Sequence, residues 1–219
     1  DVLWLDLEHT EGKRYFTWDK KHFSDPGRML DALAGNHRKV VTIVDPHLKG
    51  DATYTPFSRM NKSDFLVRAS NGSTYEGFCW PGKSFYPDFC NPAARDEWAN
   101  LFSPEVYPHS RPDLYTWNDM NEPSVFNGPE ISMPRDNLHK CHAEKYSIEH
   151  RDVHNLYGFY VHAATVQGQL QRAPDLRPFV LTRAFFAGTH RHGPVWTGDN
   201  TANWMHLVRS TSMLVTLAM

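Results

Sequence analysis

A (β/α)8 barrel is the fold this sequence predicts, and three observations predict it. Short runs that are apolar on both faces recur along the chain, helical patterns lie between most of them, and each run ends on a polar or ionisable residue. The runs are Val2 to Leu5 into Asp6, Val40 to Val44 into Asp45, Leu114 to Asn118 into Asp119, Phe179 to Thr182 into Arg183, and Val195 to Gly198 into Asp199. Strands alternating with helices imply a parallel sheet. In a barrel the chemistry sits on the loops that follow the strands, where these polar residues fall. A doubly wound sheet would place its site similarly, but the sequence has no Gly-rich phosphate loop. Five strands do not close a barrel, and the chain stops inside the apolar stretch Met213 to Met219. Residues 1–219 are therefore expected to be part of a barrel and an internal fragment of a longer protein.

The helices follow from their caps and periodicity. Pro26 to Gly35 starts after Ser24-Asp25, places Met29, Leu30 and Leu33 on one side, and stops at a glycine. Asn91-Pro92 is a cap with proline at the first helical position, after which Ala94, Trp98, Leu101 and Phe102 share a face. Ser147 to Arg172 is the longest helical candidate, whereas Arg183 to Asp199 is barely long enough for a crossover. Residues 48–90 are too many for an ordinary βα loop. They contain a candidate hairpin, Phe65–Arg68 with Thr74–Glu76 around Asn71-Gly72, and are expected to form a small inserted subdomain over the active face.

Composition removes some classes of function. A net charge of −2 with scattered basic pairs gives no surface for nucleic acid or an anionic membrane. No apolar run is long enough to span a bilayer. Of three cysteines, Cys79 and Cys90 flank a Trp-Pro-Gly turn, so they either pair or remain isolated thiols. Asn61-Lys62-Ser63 and Asn71-Gly72-Ser73 match glycosylation acceptors, which points to a secretory compartment.

Two clusters could perform chemistry. In Trp117-Asn118-Asp119-Met120-Asn121-Glu122-Pro123, Trp117 can stack on a sugar, and either Asp119 or Glu122 could be nucleophile or acid. Helix capping is the competing explanation, but it does not call for so many polar groups beside a tryptophan. In Trp196-Thr197-Gly198-Asp199-Asn200-Thr201, Asp199 suits a proton donor held partly away from water, or else a cap. Two carboxylates on one barrel face are what glycoside hydrolysis requires. Arg183 can hold a sugar hydroxyl or tune a carboxylate, Asp6 can bond a polyol, and Trp80 offers a stacking surface on a turn. Among 13 histidines, the pairs His139/His142 and His150/His154 have ligand-compatible spacing, but there is no His-Glu-x-x-His pattern. A metal-dependent hydrolase is thus a minor alternative, and the serines lack a nucleophile-elbow pattern.

At these residues the sequence resembles a known family. DVLWLDLEHT from Asp1, EGKRYFTWD from Glu11, VDPH from Val44, WPG from Trp80, WNDMNEPSVFNGPE from Trp117, RPFVLTRAFFAG from Arg177 and VWTGDNTA from Val195 resemble glycoside hydrolase family 31. WNDMNEP followed by WTGDN is the specific part. The resemblance implies Asp119 as nucleophile and Asp199 as general acid/base, a choice that spacing left open. It also implies that Asp6 and Arg183 bind the hydroxyls of a glucose, that Trp80, Trp117, Met120 and Trp196 line its pocket, and that Phe126 borders the acceptor. By the family fold these strands are the second to sixth of the barrel. Within the family the likeness is to the α-glucosidases that trim N-glycans, which implies a retaining exo-α-glucosidase without cofactor. The lumen of the endoplasmic reticulum would be its compartment, terminal α1,3-glucose of an N-glycan oligosaccharide its substrate, and a non-catalytic β subunit its partner. A sugar-binding paralogue without turnover, or another family activity such as α-xylosidase, is the alternative. The chain departs from the family pattern at Cys90, at Asp136 to Tyr146, which is longer than expected, and at Leu207 to Met219.

Overall fold

A computed structural model describes residues 1–141 and 145–217, so His142 lies outside the described residues. Strand β1 (Val2–Leu5) leads through helix α1 (Pro26–Gly35) to β2 (Lys39–Ile43). A small antiparallel unit follows, made of β3 (Leu48–Lys49), helix α2 (Thr55–Lys62), β4 (Glu76–Cys79) and β5 (Gly82–Phe85). Helix α3 (Pro92–Asn100) then leads to β6 (Leu114–Asn118). A two-residue pair, β7 (Leu138–His139) with β8 (Ile148–Glu149), precedes helix α4 (His150–Arg172), β9 (Val180–Thr182) and helix α5 (Trp204–Leu217).

The main sheet has the order β1-β2-β6-β9, parallel throughout, with Trp4 opposite Val41, Ile43 opposite Trp117 and Thr182 opposite Asn118. Sequential, parallel, helix-linked strands are the arc of a barrel wall. The expected fifth strand is reduced to one parallel bridge between Thr182 and Val195. Pro194 has no N–H to extend that ladder, and Gly198 turns the chain away at φ +77°. The short crossover before it holds a single 3₁₀ turn, Thr189–Arg191, in place of a helix.

The helix ends lie where their caps put them. The Asp25 side chain accepts from Arg28 N at 3.0 Å, and Asn91 accepts from Ala93 N at 3.0 Å, each ahead of a proline at the first helical position. Helix α4 starts three residues later than the sequence suggested, because Ile148 and Glu149 pair with His139 and Leu138. Its packing on α3 is close: Trp98 Nε1 donates to Thr165 Oγ1 at 3.0 Å, and a β-carbon on Gly168 would meet Phe102 at 2.5 Å. Behind the sheet Phe16 stands edge-on to Trp98, Phe102 and Tyr107 at 5.5, 5.0 and 5.7 Å.

The expected hairpin around Asn71-Gly72 is present but short: Arg68 bridges Thr74, Tyr75 N donates to Val67 O at 2.9 Å and Ala69 N to Ser73 O at 2.8 Å. A longer ladder follows it, Glu76↔Phe85 to Cys79↔Gly82 around Trp80-Pro81. The arm 65–67 also bonds to a second segment, since Val67 N donates to Tyr86 O and Asp88 N to Phe65 O.

Cys79 does not pair with Cys90. Cys79 is a buried free thiol, and Cys90 is bonded to Cys141. Asp88 explains the choice: its two oxygens take His139 Nδ1 at 2.7 Å and Lys140 N at 2.6 Å, which brings residue 141 alongside residue 90. Two of the departures from the family pattern, Cys90 and the segment 136–146, are therefore one feature. The bond closes a sequence separation of 51 residues. In the full-length protein, Cys90→Ser should lower unfolding stability by about 4 kcal/mol through loop-closure entropy, read as a denaturant midpoint that falls only under non-reducing conditions.

Candidate active site

The β2–β6 ladder ends in two hydrogen bonds, from Val44 N to Trp117 O and from Asn118 Nδ2 to Val44 O, both 2.8 Å. Beyond them the chain leaves the sheet with Asp45 and Asp119 side by side in register. Asp45 is wholly buried; Tyr15 OH donates to its Oδ2 at 2.5 Å and lies 3.0 Å from His47 Nε2. Burial pushes the Asp45 carboxyl well above its usual range, and Asp119 and Asp6 add to the rise against the Tyr15 bond and Arg183. Burial also lowers His47 to about 3, so its imidazole is neutral.

Asp119 stands at a sharp turn. Met120 after it is left-handed at φ +58°, a conformation costing a non-glycine residue roughly 1–2 kcal/mol. The surroundings hold it there. Ser124 N donates to Met120 O at 2.9 Å, and buried Asn121 donates to Thr182 Oγ1 at 2.8 Å while accepting from Ala184 N at 3.0 Å. Gly158 of α4 allows this approach, since a β-carbon there would lie 2.7 Å from Asn121 O. The polar density of the Trp117–Pro123 run is thus assigned residue by residue. Asn118 and Asn121 are structural ties that aim Asp119.

Arg183 follows β9, with its N–H on Asn118 O at 3.1 Å. Its Nε and Nη2 fork onto Glu122 at 2.8 and 2.9 Å, and Nη2 also meets Met120 Sδ at 3.0 Å. The remaining nitrogen, Nη1, lies 2.9 Å from Asp119 Oδ1 and 3.9 Å from Asp199 Oδ2. The first contact is an ion pair outside hydrogen-bond alignment, which leaves Asp119 Oδ1 without a donor among the described residues. Burial raises the Asp119 carboxyl to about 6 against the pull of Arg183, with Glu122 and Asp199 adding to the rise. Burial works against the Arg183 charge, but Glu122, Asp119 and Asp199 outweigh it and hold the guanidinium firmly protonated.

Asp199 differs from its sequence reading. It was expected partly away from water, but its side chain is 92% exposed, because the loop beyond Gly198 is covered by nothing among the described residues. Trp117 and Trp196 meet edge-on at 6.2 Å beside the carboxylates. Trp80 and Phe126 form a separate exposed pair at 4.8 Å, joined to the segment after Asp119 by Phe126 N on Phe78 O at 2.8 Å. Asp6 is exposed at the same sheet edge; its Oδ1 accepts from Leu7 N at 2.6 Å, and among the described residues it has no side-chain bond to the cluster. The sequence reading missed Asp45, Tyr15 and the use of Glu122 as a guanidinium clamp. Asp45 had a visible signal as a strand-end carboxylate; the Tyr15 contact spans 30 residues and had none.

The histidines form a chain instead of a metal cluster. The Asp88 carboxylate meets His139 at 2.7 Å, and His139, His150 and His154 follow ring to ring at 2.9 and 2.8 Å, so the His150/His154 pair bond each other. Among the described residues no group of three ligands is placed for a metal ion.

The parallel arc thus carries a carboxylate pair and an arginine at its carboxyl edge, and comparison with known proteins gives the family. The profile of the "Glycosyl hydrolases family 31 TIM-barrel domain" matches residues 1–219, and the chain belongs to this family. It is 54% identical over 220 residues to neutral alpha-glucosidase AB of Mus musculus, and 52% identical over 220 residues to a probable glucan 1,3-alpha-glucosidase of Oryza sativa subsp. japonica. In both cases the match covers all of this chain and 23% of the relative. It superposes on the catalytic subunit in a crystal structure of the ER glucosidase II heterodimeric complex with TM-score 0.88 at 51% identity, covering 94% of this chain and 22% of that one. A family 31 alpha-glucosidase of Bacteroides thetaiotaomicron follows with TM-score 0.78 at 32% identity, covering 94% and 32%.

Proposed function

We propose that the protein containing this chain is a retaining exo-α-glucosidase in which Asp119 is the nucleophile and Asp199 the general acid/base. The observation that supports it best is Arg183 Nη1 reaching both carboxylates, at 2.9 and 3.9 Å. One nitrogen within reach of both brings the two carboxylates to the same point of the site, as a pair acting on one glycosidic bond requires; retaining enzymes hold theirs about 5–5.5 Å apart. Glu122 is spent on Arg183 through both oxygens, which disfavours it as nucleophile. Asp119 attacks the anomeric carbon while Asp199 protonates the departing oxygen. Asp199 then deprotonates the water that releases α-glucose. Ionised Asp119 also stabilises the oxocarbenium-like transition state, in a setting where burial strengthens the interaction. Arg183 and Asp6 hold sugar hydroxyls. Trp117, Met120 and Trp196 line the glucose pocket, Trp80 closes its rim, and Phe126 borders the acceptor. No metal or organic cofactor enters the chemistry.

The substrate reading, terminal α1,3-linked glucose of N-glycans in the endoplasmic reticulum lumen, draws support from relatives named for glucan 1,3-alpha-glucosidase and ER glucosidase II. A regulatory β subunit as partner draws on the same heterodimeric structure. No helix among the described residues is long and apolar enough to cross a membrane. Residues 48–90 would act as an inserted unit whose Trp80 turn overhangs the pocket.

Proton NMR of an aryl α-glucoside reaction run on the full-length protein tests the reading: α-glucose should appear before mutarotation, whereas β-glucose as first product would refute retention. The same assay carries a pH prediction. Asp119 is raised to about 6 and must be ionised, so kcat/KM should fall as pH drops through about 6. The stability linkage has the opposite sense. Protonated Asp119 favours the fold below its unfolded value of 3.8, and that contribution is lost as pH rises through about 6.

A further inference from the structure

The Glu122–Arg183 fork does more than remove Glu122 from the list of nucleophiles. A guanidinium offers three nitrogens in one plane, and its preferred partner is a carboxylate met by two of them. Here three carboxylates surround one guanidinium. Glu122 has taken the bidentate edge, so Asp119 and Asp199 share the single nitrogen left over. Asp119 Oδ1 meets that nitrogen outside hydrogen-bond alignment and has no other donor among the described residues. The nucleophile keeps a lone pair uncommitted as a result. Met120 Sδ against Nη2 closes the remaining side of the arginine plane.

We infer that Glu122 is a positioning residue for the glycosyl transfer: by occupying the forked edge of Arg183 it prevents the arginine from closing bidentately on Asp119 and keeps one N–H poised between nucleophile and acid/base. Without it the same fork would turn onto the neighbouring carboxylate of Asp119, where the charge pairing is as good and the distance already short. The Asp119 carboxylate would then be tied up by two charge-assisted hydrogen bonds at the moment it must attack. Asp119 would also lose the repulsion of the Glu122 charge. Both changes favour its ionised form and weaken its nucleophilicity. They act on the chemical step, and so on kcat more than on KM.

The test is Glu122→Gln in the full-length protein, and it rests on the glycosidase reading. An inactive wild-type protein would refute that reading, whereas an active wild type with an indifferent variant would refute this inference alone. The variant should lose about 10²-fold in kcat on an aryl α-glucoside with KM changed by no more than about threefold. The acid limb of its kcat/KM profile should move to lower pH by roughly half a unit or more, as both changes lower the Asp119 pKa. Glu122→Asp keeps the charge but retracts the carboxylate by one methylene. It should leave the acid limb within reach of wild type and recover part of kcat, and it serves if Glu122→Gln fails to fold. Wild-type kcat in either variant would overturn the inference. So would a loss of kcat in Glu122→Gln with the acid limb unmoved, which would make the fork a structural ion pair only.

Discussion

Asp119→Asn in the full-length protein should reduce turnover of an aryl α-glucoside by at least about 10⁴-fold, ~5.5 kcal/mol of transition-state stabilisation, with the fold intact. The amide is isosteric but lacks the charge that forms the glycosyl ester. The surroundings would tolerate the change well, because Asn118, Asn121 and Ser124 hold the turn through their own bonds and not through the Asp119 carboxylate. Burial already disfavours the Asp119 charge, raising its carboxyl to about 6. Melting temperature at neutral pH should therefore be unchanged or slightly higher, even as activity disappears. A variant that loses both activity and fold would place Asp119 in the scaffold instead.

Asp199→Ala should show a different signature. Loss of general acid catalysis costs about 10²–10⁴-fold, and the cost depends on how much protonation the leaving group needs. A glucosyl disaccharide should lie near the upper end of that range. A nitrophenyl glucoside, whose leaving group departs as a stable anion, should suffer far less in forming the glycosyl-enzyme and then stall at its hydrolysis. Burst kinetics would show the stall as rapid nitrophenol release followed by a slow steady state. The exposure of Asp199 bears on this result. At 92% exposure its side chain is held by little except the neighbouring Arg183. Stability should accordingly be indifferent to Asp199→Ala. Equal losses on both substrates would argue that Asp199 acts through Arg183 and not as a proton donor.

The parts of the fold that were legible in sequence were those written in local chemistry. Helix α1 lies at its expected residues because Asp25 caps and Pro26 starts it, and β6 runs into Asp119 because an apolar stretch meets a polar cluster. What escaped depended on partners distant in sequence. Residues 65–67 read as a hairpin arm and do bond to Tyr75, but they also pair with 86–88 across a longer loop. Cys90 bonds Cys141 because Asp88 reaches Lys140 and His139, contacts that no spacing rule announces. Val195–Gly198 reads as a strand, yet among the described residues its ladder is a single bridge to Thr182, because Pro194 has no N–H to extend it and Gly198 turns the chain away.

The candidate site divides the same way. Asp119, Trp117, Met120, Arg183, Trp196 and Asp199 were identifiable as strand-end residues, and they lie together around one guanidinium or one pair of indoles. The choice between Asp119 and Glu122 was not identifiable from spacing, since both are carboxylates three residues apart on the same turn. Their surroundings differ: Glu122 points both oxygens into Arg183, whereas Asp119 Oδ1 accepts no hydrogen bond among the described residues. Asp45 shows the remaining blind spot. A strand-end aspartate reads as functional, but this one is wholly buried and bonded to Tyr15.

The central claim, that Asp119 forms the covalent intermediate, is tested most directly by trapping it. Treating the full-length protein with a 5-fluoro-α-glucosyl fluoride, digesting it and mapping the labelled peptide by mass spectrometry should place the glucosyl adduct on Asp119. An adduct on Glu122, or no adduct in a protein that turns over α-glucosides, would contradict it.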